Sequence, residues 1–490
     1  MRRLTWLLAL LLSGCVGDEA VTVSPGTDDA TEQDAADDGA IDSTVLADAD
    51  ASTIVSDAPD AATDGDAADS AVGTDSSSDT GDSAADAADA SSTDGDAGAD
   101  VADATDGETS VVETCNYVDD NGNGLVDEGF TYVEQSGSRT LINYGSYTGV
   151  DGSARSPNGV AFTWWGHGAG TPGDPHYVQT VDLTGAPLGR YSFSAYQSSN
   201  WNSPAWMGDR YFVGGVTRNY DCGGSGSTSC TTYGLAVDVN ALPLLAQTSL
   251  MSTTPCVSGF FTAGSEFYVA VSPGCSTSAA VTVRSFQNTG AAGSVNKTLY
   301  TPGSGETLSM FRGVGTATEI YWLYTSTISG ASSLRMLVSD LTGALVRGPF
   351  TLATGSIGIG AGSPMAYVGG TTIYLSYADA SGWNVGRWSV TTGAAIGAPT
   401  LLLAGNSTGP RTIDSDGFQL YVDGVGTSGP VFARLSLATG AIVQAPTVVL
   451  VPALGTAQGY SALAAVPHGV IVAAGDYGGG HIAWARFGCP

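Results

Sequence analysis

The sequence predicts an all-β protein, a seven-bladed β-propeller preceded by a disordered acidic linker. Three observations carry that reading. Of 48 acidic residues in a chain of 490, 28 fall within residues 16–113, a stretch without Lys or Arg. From residue 131 to the end the chain is nearly neutral, with 16 acids and 14 bases, and it holds ample apolar and aromatic residues for a core. That same stretch repeats one strand-and-turn landmark seven times at intervals of about fifty residues. A net charge of −32 held in a tether beside a neutral body excludes a basic nucleic-acid-binding surface.

Residues 1–15 read as an export signal. Arg2 and Arg3 precede a short apolar run, Leu7 to Leu12, too short to span a bilayer. The ending Leu12-Ser13-Gly14-Cys15 resembles the bacterial lipoprotein lipobox. That resemblance implies a mature N-terminus at Cys15 carrying acyl chains, and hence a membrane partner reached through a lipid anchor. Val16 and Gly17 follow the cysteine, so the aspartate that holds such proteins at the inner membrane is absent from the next position. The expected location is the outer membrane of a two-membrane bacterium.

Residues 16–113 consist mainly of Asp, Ala, Ser, Thr and Gly. Without hydrophobic periodicity the segment cannot offset its ordering entropy by burial, and uniform negative charge expands it. It reads as a solvated spacer.

Residues 114–130 contain CNYVDDNGNGLVDEGF. Asp119, Asn121, Asn123 and Gly124 fit the first half of a calcium loop, D-x-[DN]-x-[DN]-G, in which alternate oxygens converge on a hard cation. Leu125 would add its backbone carbonyl and Asp127 the ninth position. The twelfth is Phe130, so the bidentate Glu is missing, and Asp120 or Glu128 is the candidate replacement. The run resembles the metal-binding motif of MopE-type bacterial surface proteins, roughly CNGxDDNCNGxxDEG, with Tyr117 in place of a glycine and Gly122 in place of the second cysteine. The resemblance implies calcium as the cofactor. The replaced cysteine leaves Cys115 to pair elsewhere or stay free.

Residues 131–490 hold the repeats. The landmark strands end in turns at Gly185, Ala241, Gly290, Gly343, Gly393 and Gly440, with a seventh reaching Gly488. Upstream of each lies an apolar strand, starting at Val160, Tyr211, Phe267, Ile320, Ile373, Leu420 and Val470, which should be buried on both faces. The landmark strands alternate, as half-exposed strands do. A strand follows each turn and a weaker one precedes each buried strand, giving four per unit, A to D. The last unit stops at its C strand, so its D strand should come from FTYVEQSG, starting at Phe130. Gly405–Gly409 fits GxSxG and Gly424–Gly429 fits GxGxxG, but neither leads into a helix, so neither reads as a nucleophile elbow or a dinucleotide site.

In such a fold the B–C and D–A loops share one face, which carries the long loops. Export implies disulfides. Cys222–Cys230 and Cys256–Cys275 have near partners on that face, which leaves Cys115–Cys489 to join the two ends of the ring. Trp165, His167, His176, Trp201 and Tyr220 on the same face are the candidate ligand-binding residues, aromatics and polar groups suited to a glycan or protein. The expected function is a surface-anchored binding protein recognising an extracellular glycan or protein. The alternatives are a secreted propeller enzyme, a polysaccharide hydrolase or lyase, and a purely structural envelope lipoprotein. No catalytic residue is identified in the sequence.

Overall fold

The computed structural model of the chain describes residues 112–490 apart from 124, 145–147, 167–174, 195–202, 218–230, 253–255, 273–275, 360–364, 406–408, 451–459 and 477–478. No helix occurs among the described residues. Two short strands come first, β1 (Val133–Glu134) and β2 (Thr140–Asn143). Blade one is β3 (Thr148–Ser156), β4 (Gly159–Gly166), β5 (Pro175–Asp182) and β6 (Pro187–Ser194). Blade two is β7 (Ser203–Trp206), β8 (Tyr211–Thr217), β9 (Thr231–Val237) and β10 (Pro243–Ser252). Blade three is β11 (Cys256–Ala263), β12 (Glu266–Ser272), β14 (Val281–Phe286) and β15 (Ala292–Tyr300); between its middle strands, β13 (Ser276–Thr277) pairs with the next blade. Blade four is β16 (Glu306–Gly315), β17 (Glu319–Ile328), β18 (Ala331–Asp340) and β19 (Leu345–Thr354). Blade five is β20 (Gly358–Ile359) and β21 (Ala366–Gly369), both on β22 (Thr372–Asp379), then β23 (Gly382–Ser389) and β24 (Thr400–Ala404). Blade six is β25 (Pro410–Ser415), β26 (Gln419–Gly426), β27 (Gly429–Ser436) and β28 (Ile442–Val448). Blade seven is β29 (Ser461–Val466), β30 (Gly469–Gly475) and β31 (His481–Gly488).

The strands that open the blades touch in a closed circle, β3, β7, β11, β16, β21, β25, β29 and back to β3, and so surround the axis. Seven apolar clusters lie one at each junction between neighbouring blades. This is why the B strands are apolar throughout. Leu420 and Val422 of β26 pack toward blade five, and Tyr421 between them packs toward blade seven. Successive side chains leave a strand on opposite faces, and here both faces are core.

Three C strands differ from the expected half-exposure, whereas β14 keeps the alternation. β27 is buried along its whole length, and β9 and β31 nearly so. The reason is the same: the outermost D strand, not the C strand, meets solvent, as the largely exposed residues of β15 and β28 show. The landmark turns stand where the sequence places them. Gly185, Gly290, Gly343, Gly393 and Gly440 all have left-handed φ, and Ala241 adopts the same conformation at φ 59°. In three of these turns the preceding aspartate, Asp182, Asp238 or Asp340, accepts backbone N–H bonds from two and four residues ahead. Gly426 and Gly429 end a direct antiparallel hairpin between β26 and β27, without a helix.

Blade seven is completed from the other end of the chain. Val133 pairs with Gly488 and Asn143 with His481, so the closing strand does come from the other end of the chain, but of FTYVEQSG only β1 pairs; the longer part of the closure is β2, beyond a turn at Gln135–Ser138. Cys115 and Cys489 are joined, S–S 2.04 Å, across a sequence separation of 374 residues.

Candidate functional site

Two constellations of polar side chains stand out, one at the ring closure and one at the axis.

At the closure, residues 112–132 dock across blades six and seven. Arg434 of β27 is fully buried and holds this segment from below. Its guanidinium lies 3.5 Å from the centre of the Tyr132 ring and donates to Gln419 Oε1 (2.6 Å), Phe130 O (3.2 Å) and Asp127 O (3.3 Å). Gln419 Nε2 donates to Val126 O (2.8 Å), and Tyr132 N donates to Gln444 Oε1 (2.9 Å). Burial pushes the Arg434 guanidinium below its ordinary value, while Tyr132 and then Tyr421 oppose that shift. The backbone carbonyls of the segment thus serve as acceptors for a charge that the blade cannot pair by itself.

Within this segment the loop oxygens sort into two groups. Asp119 Oδ1 accepts from Gly122 N (2.7 Å) and Asn123 N (3.1 Å), so the chain curls around it. Asn121 and Asn123 each direct an amide to Glu128 Oε1, at 2.5 Å. Glu128 Oε2 is buried without a hydrogen-bond partner. Asp119, Asn121, Asn123 and Glu128 are therefore the polar set of the loop, the asparagine Oδ1 atoms accepting the N–H groups of Asn123 (3.0 Å) and Leu125 (2.8 Å). Of the two candidates for the missing carboxylate, Glu128 meets the asparagines. Asp120 instead accepts from Thr114 and Asn116, whose hydrogen bonds, Thr114 first, hold its carboxyl below the usual range.

Asp127 departs from its expected place as a ligand. It is fully buried, and its Oδ1 accepts from Asn116 N and Tyr117 N, both 2.8 Å, while Oδ2 takes the Tyr132 hydroxyl at 3.3 Å. Its left-handed backbone, φ 51°, goes with a carboxylate facing the disulfide rather than the loop. Cys489 Sγ lies 3.7 Å from Oδ2. Cys115, Asp127 and Cys489 converge, but both sulfurs are used in the disulfide, so the group is a staple and not a thiolate metal site. The Asp119–Asn121–Asn123–Glu128 set carries the oxygen types that a hard divalent cation takes, with the amide Nδ2 atoms of both asparagines turned to Glu128.

The second constellation arises from β-bulges. In blade six Pro410 pairs with Gly424 and Ile413 with Val422, so Arg411 and Thr412 together oppose the single residue Asp423. In blade one Val150 pairs with Trp164 and Gly152 with Thr163, leaving Asp151 as the extra residue. A bulge re-aims a side chain. Arg411 places its guanidinium 4.1 Å from the centre of the Tyr460 ring, at the start of β29 in blade seven. Burial lowers its basicity, and Tyr460, Asp423 and Asp151 favour its charged form. Tyr460 in turn meets Trp165 edge-on at 6.0 Å, and Trp165 lies over Gly149, where a Cβ would come within 2.8 Å of the indole.

Asp423 is 0% exposed. Its Oδ1 accepts from Thr412 N (2.7 Å) and from the Thr412 hydroxyl, whose oxygen accepts Leu463 N (2.8 Å) of blade seven. Burial pushes the Asp423 carboxyl up to about 6, against the Ser461 and Thr412 hydrogen-bonding groups and the Arg411 charge. Beside these, Thr148 Oγ1 donates to His481 O (2.7 Å), and His481 Nδ1 stands 3.6 Å from Asp476 Oδ2.

Of the expected ligand-binding residues, the structure brings Trp165 into this site. His176 is 1% exposed and lies against Phe193 at 5.7 Å, so it belongs to the core rather than to a binding surface. His167, Trp201 and Tyr220 lie outside the described residues, as do Cys15, Cys222, Cys230, Cys275 and the side chain of Cys256. Arg411, Asp423, Asp151 and Tyr460 escape sequence reading, because only the bulged register of β25 and β3 gathers them.

No family model matches the chain, and no curated protein matches it. Solved structures do. The chain is similar to Raptor from Chaetomium thermophilum (12% identity over 73% of this chain and 29% of that one, TM-score 0.45). It is similar to a polysaccharide lyase of family PL25, an ulvan lyase (9% identity, 71% and 96%, TM-score 0.43). It is also similar to the β-propeller domain of the Trilobed protease from Pyrococcus furiosus (9% identity, 70% and 94%, TM-score 0.40). The chain spans less than half the length of the prolyl endopeptidase and Raptor chains it matches.

Proposed function

We propose that this protein is a lipid-anchored cell-surface binding module, in which the propeller recognises an extracellular glycan or protein at its axis and the Asp119–Glu128 loop holds calcium. The observation that carries this reading is the gathering of Arg411, Asp423, Asp151, Tyr460 and Trp165 from three blades onto one end of the axis. Aromatic faces beside charged groups on rigid strands are what a polar ligand with an apolar face requires. The lipobox ending at Cys15 supports the anchor. A screen of the full chain in detergent against glycans and peptides, with calcium and then with chelator, tests the reading. Ligand retention without product supports it, and the absence of any retained ligand removes it. For the anchor, Cys15→Ala should leave the precursor uncleaved and move any product to the soluble fraction; unchanged membrane retention would sink that part.

A second reading, a polysaccharide hydrolase or lyase, is favoured by one observation. Asp423 pushed up to about 6 beside Arg411 is a carboxyl able to exchange a proton near neutrality next to a group that stabilises negative charge. Release of shortened oligosaccharides in the same screen would establish it.

A further inference from the structure

At the opposite end of the axis from Arg411 and Trp165 the blades leave a cavity of about 550 Å³. It lies among the A–B turns of blades one, six and seven and the end of β7. Its size is within the range of pockets that take small ligands. The apolar part of its wall is Trp206, Leu183, Pro157 and Pro467. Both prolines are exposed, and Trp206 and Leu183 are half-buried, so a ligand can reach this wall from solvent. The Trp206 ring is held edge-on to Tyr211 at 4.9 Å.

Two of the three polar side chains on the wall are engaged within the protein. The Ser156 hydroxyl donates to Gly159 O (3.1 Å) and accepts from Asn158 N (3.2 Å) and the Tyr211 hydroxyl (2.8 Å). Asp416 Oδ1 accepts from Phe418 N (2.9 Å) and Gln419 N (2.8 Å), and its Oδ2 from the Tyr421 hydroxyl (2.7 Å). Asp414, near Arg155 but outside the wall, accepts from Ser415 N and Ala465 N. Arg155 differs. It is exposed, and among the described residues its guanidinium donates only from Nη1, to Ala465 O (3.1 Å). The rest of its planar N–H fork remains for a ligand. The cavity therefore calls for an acceptor carried on an apolar body. A neutral sugar brings several hydroxyl donors to walls whose acceptors are already engaged. A phosphate brings a second negative charge beside Asp416, with one guanidinium to meet it. A carboxylate carries a single charge, only accepts, and has the planar shape that a guanidinium meets with two parallel bonds. We propose that this mouth of the axis binds an apolar carboxylic acid, its carboxylate on Arg155 and its body against Trp206 and Leu183, supplied either as the C-terminal residue of a polypeptide or as a free small acid. The site is separate from the one in the reading above and does not depend on it.

The test is calorimetric titration of the full chain in detergent with N-acetyl tripeptides ending in Leu or Phe, each as free acid and as C-terminal amide, and with phenylpropanoate. The free acids should bind, and the amides ten-fold or more weaker. Arg155→Met should lower acid binding ten-fold or more and leave amide binding as it was. Arg155→Lys, which keeps the charge and loses the fork, should fall between. Trp206→Ala should weaken acid and amide alike. Arg155 is exposed, so its variants should keep the wild-type melting profile, and they decide the matter even where Trp206→Ala fails to fold. Tripeptide acids held more tightly than phenylpropanoate support the proposal with a chain terminus as the ligand, and equal affinities support it with a free acid. Acid and amide bound alike, acid binding unaltered in Arg155→Met, or no binding up to millimolar ligand each overturns it. None of these outcomes touches the reading of the other axial end, which the glycan and peptide screen decides.

Discussion

Asp423 shows how one side chain can serve two ends. Its Oδ1 closes the bulge of β25, and through Thr412 it ties blade six to Leu463 of blade seven. Its burial also makes the protein sensitive to pH in a defined direction. Burial pushes the folded carboxyl up from the ordinary value of 3.8 to about 6. The folded state therefore keeps its proton where the unfolded state has lost it, and stability falls as pH rises from about 4 to about 6. Asp423→Asn should remove that fall, so urea denaturation of wild type and variant should diverge across this window and run parallel above it. Curves parallel from pH 4 upward would show that Asp423 titrates normally. None of this is legible in the run Pro410-Arg411-Thr412-Ile413, because a bulge is a matter of how β25 meets β26 and leaves no pattern in β25 alone. His176 misleads for the complementary reason. It stands at the start of a strand that reads as half-exposed, yet it is buried, with its ring against Phe193 of the adjacent strand β6.

At the scale of elements, the segment 114–130 was half legible. The spacing of Asp119, Asn121 and Asn123 points to converging oxygens; the loop curls around Asp119 Oδ1, while both asparagines turn amide nitrogens to Glu128. The ligand count was not legible. Position nine, Asp127, holds the chain reversal against the disulfide, and position ten, Glu128, turns to the asparagines. If calcium sits here, Glu128→Gln should weaken its binding about ten-fold or more, since two carboxylates would fall to one. Asp120→Asn should leave the affinity unchanged. Calorimetric titration of the full chain with calcium chloride measures both, and no heat up to millimolar calcium would dispose of the site. The β-strands are more legible in the sequence than the loop. Their apolar runs, left-handed turn residues and near-constant spacing all follow from one repeated unit, whereas the loop occurs only once.

For the whole molecule, the ring is closed by unlike means at one seam: the pairing of β1 and β2 with β31, the anchoring of Tyr132 and Val126 by Arg434 and Gln419, and the Cys115–Cys489 bond. Cross-linking residues 374 apart restricts the unfolded chain by about 6 kcal/mol in the chain-entropy model, before any strain. Cys489→Ser should therefore lower the melting temperature, and hydrogen exchange should rise first in β1, β2 and β31 while β16–β19 stay protected. Equal acceleration in all blades would refute a seam-specific role. The bond also has a mechanical consequence. Tension arriving along the chain from before Thr114 divides at Cys115, one path running on toward β1 and β2 and the other crossing the sulfurs to the end of β31. Both paths end in the same sheet, so a pull on the tether draws the first and last strands along together. The load does not peel one strand from the other, and the joint most exposed to traction is the one that traction cannot unzip.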